Sequence, residues 1–388
     1  MNATEKTLGL FEPTWNSPLA QKIIELEHIR ARTPNGDVPQ HMFTQIKSIF
    51  HMLESLGSGR IEGNRTTLAE YVEKFIVPHE YEHTQSIQEI VNIENAISFI
   101  EENITPNCNI EMGHIREMHR IVVQELPAPP HGESSMNPGE FRKINVAIAG
   151  SSHKPPDMIF VDEYMEELLN FINQQTQPQN HLLITAIAHH RMAWIHPFDN
   201  GNGRVVRMLT YATLRKQGFL FSNERILNPT AIFCNDRNKY YDMLAQADGC
   251  DRENVLTWCE YVITGIINEI EKIDKLLHKK FLIKKILYPA IEFAIERQFV
   301  TQVEAKILKR ITNNTNMEIK SADIEKTIGE TSPLQRSRII KKLKDKKMIF
   351  QLTEKGRIYH INFINNCLLR GVMNALQQQG FIPDALSE

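Results

Sequence analysis

The sequence predicts a mainly α protein with one short β-hairpin and, toward its C-terminal end, a small helix-turn-helix domain carrying a two-stranded wing. Three observations support this. Apolar residues recur at three- and four-residue spacing through most of the chain, the stretch KINVAIAG at 143–150 alternates polar with apolar, and near residue 300 the composition shifts to short lysine-rich elements. With 388 residues and 41% hydrophobic content, the chain has enough apolar material for two or three packed domains.

Helical periodicity marks His41–Leu56, Ile87–Ile104, Ile110–Gln124, Tyr164–Asn173, His181–Ile195 and Arg204–Arg215, with longer helices from about Leu256 to Arg297. ELPAPPHGESSMNPGEFR (125–142) is too rich in turn formers for regular structure and suits a loop over a site. KINVAIAG follows, then SSHKPPD (151–157) as a turn before the next helix, so a hairpin is expected inside the helical domain. In 321–362 the pattern reads helix, turn at Gly329, Ser332 as N-cap before Pro333, a second helix to about Lys344, and a wing turning at Glu354–Gly356. The expected domains are an N-terminal helical region at 1–85, a core at 86–298, a winged helix at 299–365 and a tail at 366–388.

A formal charge of −3 argues against a surface built throughout for nucleic acid or an anionic membrane. A local patch is another matter. Arg336, Arg338, Lys341, Lys342, Lys344, Lys346 and Lys347 stand against Asp345 alone on the second C-terminal helix and its exit. That is what a helix meeting DNA phosphates needs, and also what many solvated helix faces look like. DNA binding through residues 321–362 is therefore the alternative function. The five cysteines form no CxxC or zinc-like spacing and are expected to be reduced thiols. No signal peptide or membrane-length apolar run is present, so a cytoplasmic protein without a membrane partner is expected, secretion by a dedicated machine left open.

HPFDNGNGRVVR at 196–207 carries the chemistry. Pro197 disfavours helix at His196, so one helix should end there and another begin among the glycines. Gly201, Asn202 and Gly203 can turn successive N–H groups toward one point, where the new helix adds its unpaired N–H groups and positive dipole end; such a nest binds anions, phosphate above all. Arg204 and Arg207 share a face of the first turn, an unfavourable place for cations unless a strong anion or a carboxylate from elsewhere in the chain is expected there. The alternative of a metallohydrolase cluster from His181, His189, His190, His196 and Asp199 lacks compactness, because His189 and His190 point roughly 100° apart on a helix and His181 lies two turns away.

The string resembles the signature of the Fic family, HPFx(D/E)GN(G/K)RxxR, at every position but one. The resemblance implies a Fic-type helical core whose hairpin flap registers the target segment, with His153 and Lys154 flanking it, and an activity that transfers AMP from ATP to a hydroxyl of a protein, including this one. It implies His196 as base, Phe198 as hydrophobic anchor, Asn202 as a ligand of the phosphates, Gly201 and Gly203 as the backbone anion hole, and Arg204 and Arg207 as holders of the β and γ phosphates. A histidine with an ordinary pKa near 6.5 suits deprotonation of an attacking hydroxyl. The departure is Asn200, where the family usually has an acidic ligand of Mg2+; an amide oxygen can ligate magnesium but lacks the charge. NDRNKYYDMLAQAD (235–248) resembles the family's later helix near the adenine, with Tyr240 or Tyr241 as stackers and core packing as the equal alternative.

SLGSGRIEGNR at 55–65 resembles the family's inhibitory motif, (S/T)xxxE(G/N), through Ser58 and Glu62. By that resemblance Glu62 would pair with Arg207, deny it to the γ phosphate and hold the enzyme off, and the same glutamate could support removal of AMP. A homodimer that buries this segment is a further expectation.

Overall fold

The computed structural model describes residues 8–31, 36–77, 84–129, 131–132, 134–219, 229–329, 332–353 and 356–386. Helices dominate: α1 (Pro18–Ala31), α2 (Gln40–Glu62), α3 (Leu68–Ile76), α4 (Gln85–Asn103), α5 (Met112–Val122), α6 (Val161–Asn173), α7 (His181–Ile195), α8 (Asn202–Lys216), α9 (Pro229–Cys234), α10 (Arg237–Ala247) and α11 (Arg252–Asp274). They are followed by α12 (Lys279–Phe281), α13 (Tyr288–Glu296), α14 (Gln302–Asn313), α15 (Asp323–Ile328), α16 (Pro333–Asp345) and α17 (Leu368–Gln378). A mainly α fold is thus what the periodicity specifies. The chain divides into two compact units, one of residues 1–33, 50–66 and 83–271, the other of 34–49, 67–82 and 272–388.

In the first unit α7 is the central helix. Nearly all of it is buried, from Leu182 to Met192 and again at Trp194 and Ile195, with α6 and α8 packed against it and α4 and α5 against α8. A helix with apolar residues on every face is stable only when covered on every side, and its buried polar residues find partners, His189 on Thr210 and Arg191 on Glu167. Local signals mark the helix boundaries: Thr84 caps α4 by accepting from Ile87 N–H, and Asp236 caps α10 by accepting from Lys239 N–H.

The second unit holds a three-stranded antiparallel sheet in the order β1 (Glu318–Lys320), β3 (Ile358–Ile361), β2 (Ile349–Phe350), with Ile319 opposite Tyr359 and Ile349 opposite Ile361. Helices α14, α15 and α16 accompany the sheet. Capping boxes start two of them, Thr301 with Glu304 for α14 and Ser332 with Gln335 for α16, the latter with Pro333 in its first turn as expected. Strand β1 went unforeseen because three residues are too short for a period to register. Positions 354 and 355 of the expected wing turn lie outside the described residues.

Two local expectations need correction. Residues 143–150 form no strand. Pro155 and Pro156 lack the N–H groups a returning strand would donate, and side chains close the loop instead, Asn145 Nδ2 donating to Asp157 Oδ2 at 3.0 Å and Arg142 reaching the carbonyls of Ile144 and Pro156. Second, α2 does not stop at Leu56 but runs through Gly57 and Gly59 to Glu62. Gly63, with φ 100°, ends it, and Asn64 N–H reaches back to Gly59 O at 3.0 Å. Glycine inside a helix costs about 1 kcal/mol relative to alanine. At Gly59 the absent side chain makes room for Asn64, whose Cβ lies 3.3 Å from where a side chain would begin.

Candidate active site

The turn between α7 and α8 puts HPFDNGNGRVVR where the sequence requires. His196 caps α7 in the left-handed region at φ 52°, and Gly201 opens α8 at φ 74°. Asn202 fastens the loop between them: its Oδ1 accepts from Phe198 N–H and its Nδ2 donates to Phe198 O, both at 2.9 Å. Phe198 is fully buried, stacked on His119 with centroids 3.7 Å apart and planes within 10°. His119 accepts from Gly139 N–H at Nδ1 (2.9 Å), so its Nε2 carries the proton donated to Asn200 O at 3.2 Å. Burial depresses the His119 pKa to about 4, so the ring is neutral at physiological pH.

His196 itself is half-buried. Burial comes first among the causes that lower its pKa to about 4, with the nearby Arg142 adding to the effect and Glu62 opposing it. The imidazole is therefore neutral at pH 7 and able to accept a proton. Arg142 donates from Nε to His196 O at 2.9 Å, and its own N–H donates to Pro197 O at 2.9 Å.

Both arginines on the first turn of α8 are buried and both face a carboxylate. Arg207 donates from Nε to Ser58 Oγ (2.8 Å) and from Nη2 to Ser58 O (3.0 Å) and Glu62 Oε1 (2.7 Å). Arg204 donates from Nη1 to Val122 O and lies 3.2 Å from Glu89 Oε1. Burial alone would raise the Glu62 pKa, but Arg207, with Arg204 and Arg237 behind it, outweighs burial and leaves it lowered. Glu62 Oε1 also lies well inside contact distance of where a side chain at Gly203 would begin, and its carboxyl carbon is 2.9 Å from that point. A carboxylate thus sits over the first turn of α8, where a helix offers unpaired N–H groups and a positive dipole end. The sequence left open whether an external anion or an internal carboxylate would answer the two arginines; here an internal carboxylate is in place.

Residues 109–214 match the Fic/DOC family model. Adenylyltransferases named "Protein adenylyltransferase Fic" from Drosophila yakuba and Drosophila melanogaster are each 31% identical over 208 residues, covering 52% of this chain and 37% of theirs. Residues 109–214 are a Fic/DOC domain. The match spans less than two-fifths of the length of these curated relatives. Among solved structures, a Fic family protein from Desulfovibrio desulfuricans G20 aligns over 90% of this chain and 98% of its own with a TM-score of 0.55 at 19% identity. Fic-1 from C. elegans aligns over 66% of this chain and 72% of its own with a TM-score of 0.50 at 18% identity. At these identities the likeness is one of fold.

Within this Fic fold the magnesium position does not offer a ready cage. Asn200 Nδ2 donates to Ser134 O at 3.1 Å and its Oδ1 accepts from Gly201 N–H at 2.7 Å, so the amide expected to ligate metal binds protein backbone. The carboxylate of Asp199 is taken by Ser135 Oγ (2.5 Å) and Met136 N–H (3.0 Å). Among the described residues no group of three or more His, Cys, Asp or Glu is placed to hold a metal ion. The residues present do not fit a protein-held Mg2+. Other expected residues divide. His189 bonds Thr210 and Tyr240, and His190 bonds Asp248, so these histidines are structural. Tyr240 is buried in that network, while Tyr241 is exposed. Sequence reasoning missed His119 and Arg142, because neither lies in a motif; what marks them is burial of a polar side chain that bonds the 196–200 turn, His119 at Asn200 O and Arg142 at His196 O.

Proposed function

We propose that this chain transfers AMP from ATP to a hydroxyl of a target protein or of itself, and that Glu62 holds it off. The observation that carries the reading is the Glu62 carboxylate, paired with buried Arg207 over the first turn of α8, in the seat that an anionic group of the substrate would take. In this reading neutral His196 accepts the proton of the attacking hydroxyl as it attacks the α phosphorus in line, and pyrophosphate leaves. Arg204, Arg207 and the N–H groups around Gly201 and Gly203 offset the charge on the polyphosphate. Asn202 keeps the loop in shape through Phe198, with Phe198 and His119 as the floor beneath it. Ser58 holds the Arg207 guanidinium flat for either occupant. The unladdered segment 143–150, exposed at Ile144, is where a target strand could pair. The test is incubation of wild type, Glu62→Gly and Glu62→Gly/His196→Ala with α-labelled ATP and a divalent metal. Label on Glu62→Gly alone is expected. No label on any variant, with protein shown to be folded, sinks the reading.

A second reading concerns the C-terminal unit. The order α14, β1, α15, α16, β2, β3 with its antiparallel sheet supports a winged helix, and α16 exposes Arg338, Lys341 and Lys342. Duplex DNA is the partner such a face would suit. For the full chain, binding should weaken steeply with salt, and Lys341→Glu with Lys342→Glu should flatten the logarithmic slope by about 2. No shift of duplex DNA at low salt rules it out.

A further inference from the structure

Carbonyls at the exit of α7 converge on one guanidinium. Arg142, 4% exposed, donates from Nε to His196 O at 2.9 Å, from Nη2 to Pro156 O at 2.6 Å and Ile195 O at 3.4 Å, and from Nη1 to Ile144 O at 3.0 Å. A helix leaves its last carbonyls without intrahelical donors and concentrates partial negative charge there, so a cation at that end both satisfies and neutralises. Only arginine has enough donors, in a planar fork, to serve acceptors spread this widely. His196 moreover holds a left-handed conformation that a non-glycine residue keeps only when its surroundings impose it.

The other half of the contact makes Arg142 more than a helix cap. Ile144 and Pro156 are the two shoulders of the loop 144–156, which is closed a second time where Met158 N–H donates to Asn145 Oδ1 at 2.8 Å. Within the loop, His153 Nε2 donates to Trp194 O at 2.8 Å, and its other nitrogen lies 3.9 Å from Asp248. The loop is therefore pinned to the last turn of α7 at Trp194, Ile195 and His196.

We propose that Arg142 is a positioning residue for His196: by joining the shoulders of the 144–156 loop to the carbonyls of Ile195 and His196, it sets the imidazole's place relative to a hydroxyl that this loop brings in. The proposal rests on the AMP-transfer reading, so its test includes one readout that does not need transfer.

In the Glu62→Gly background, Arg142→Gln and Arg142→Lys are compared with Glu166→Ala, at an exposed position of α6. Arg142→Gln is expected to lower kcat about 100-fold, the penalty for displacing a catalytic group by about an ångström. The KM for ATP should stay within about 3-fold, since Arg142 touches none of the groups assigned to the phosphates. Arg142→Lys, which keeps the charge and some of the bonds, should recover about 10-fold of that loss, and Glu166→Ala should match the parent. Independently, NMR of histidine-labelled protein without nucleotide should show His196 titrating nearer the ordinary histidine range in Arg142→Gln. A purely structural role would lower thermal stability and every kinetic parameter together and leave the His196 titration in place; that result overturns the proposal, as does a raised KM with kcat intact. If Arg142→Gln does not fold, a folded Arg142→Lys with parental kcat and parental His196 titration overturns it equally. If the Glu62→Gly parent transfers no AMP, the functional reading fails and the His196 titration decides the role of Arg142 alone.

Discussion

Removal of the Glu62 carboxylate should switch transfer on, by an amount that follows from the geometry. Glu62 Oε1 is 2.7 Å from Arg207 Nη2, with the arginine side chain 1% exposed and the glutamate side chain 27% exposed. Two unit charges about 4 Å apart at an effective dielectric near 20 attract by about 4 kcal/mol. Solvent at the exposed edge of the carboxylate screens roughly half of that, leaving about 2 kcal/mol. Freeing Arg207 for the γ phosphate is then worth about 30-fold in rate. Glu62→Gly is expected to show that gain in automodification with α-labelled ATP. Glu62→Gln, which keeps the shape and a neutral hydrogen bond, should gain only about 5-fold, because a charge-assisted bond exceeds a neutral one by about 1 kcal/mol. Equal labelling of wild type and Glu62→Gly would refute the brake. Full inhibition retained by Glu62→Gln would refute the electrostatic account and leave steric occlusion.

Gly203→Ala places a methyl where Glu62 Oε1 lies, which is also the seat proposed for the substrate's anionic group, so labelling in a Glu62→Gly background should fall when the alanine is added. Asn200→Asp should create a metal site absent from wild type, read as Mn2+ binding by electron paramagnetic resonance without nucleotide; undetectable binding by both proteins would show that position 200 is turned away from the metal even as a carboxylate. The pH dependence follows from folded-state values. His196, lowered to about 4, is neutral from pH 8 down to about 5.5, so transfer by Glu62→Gly should hold over that window and fall as pH approaches 4. Glu62, held low by Arg207 against its own burial, stays ionised over the same window, so acid should not release the wild-type brake. His119 is buried neutral with a pKa lowered to about 4, so its share of stability is present above pH 6.5 and lost as pH falls from 6.5 to 4, amounting to up to about 3 kcal/mol. His119→Phe should flatten the fall in Tm across that interval.

The fold was legible where period and punctuation agree. His181–Ile195 is read to the residue because a largely apolar helix meets a pre-proline stop, and Ser332–Pro333 starts α16 because side chain and ring each favour that place. Reading failed where a local rule met a tertiary demand. Gly57 and Gly59 look like helix breakers, yet α2 continues through both to Glu62, and at Gly59 the Asn64 side chain lies where a larger residue would crowd it. The alternation of 143–150 looks like a strand, yet a strand exists only with a ladder partner, and Pro155 and Pro156 cannot provide one.

The candidate site divides along the same line. Residues within twelve positions of one another announce themselves as a string, but what holds them arrives from elsewhere in the chain. Arg204 meets Glu89; Glu89 Oε2 also accepts from Asn64 Nδ2 at 2.7 Å, and Asn64 lies two residues past the glutamate on Arg207. Burying a guanidinium is costly unless it finds acceptors, and Glu89 with Val122 O for Arg204, and Ser58 with Glu62 for Arg207, offset that cost. Of the two carboxylates, only Glu62 sits at the end of its helix, beyond Ser58 and just before the Gly63 turn, partly exposed and paired with an arginine that Ser58 also bonds. Glu89 lies within α4 and is buried. In the proposed reading, this difference in exposure and place, rather than any difference in charge, assigns the brake to Glu62 and the permanent counter-charge to Glu89.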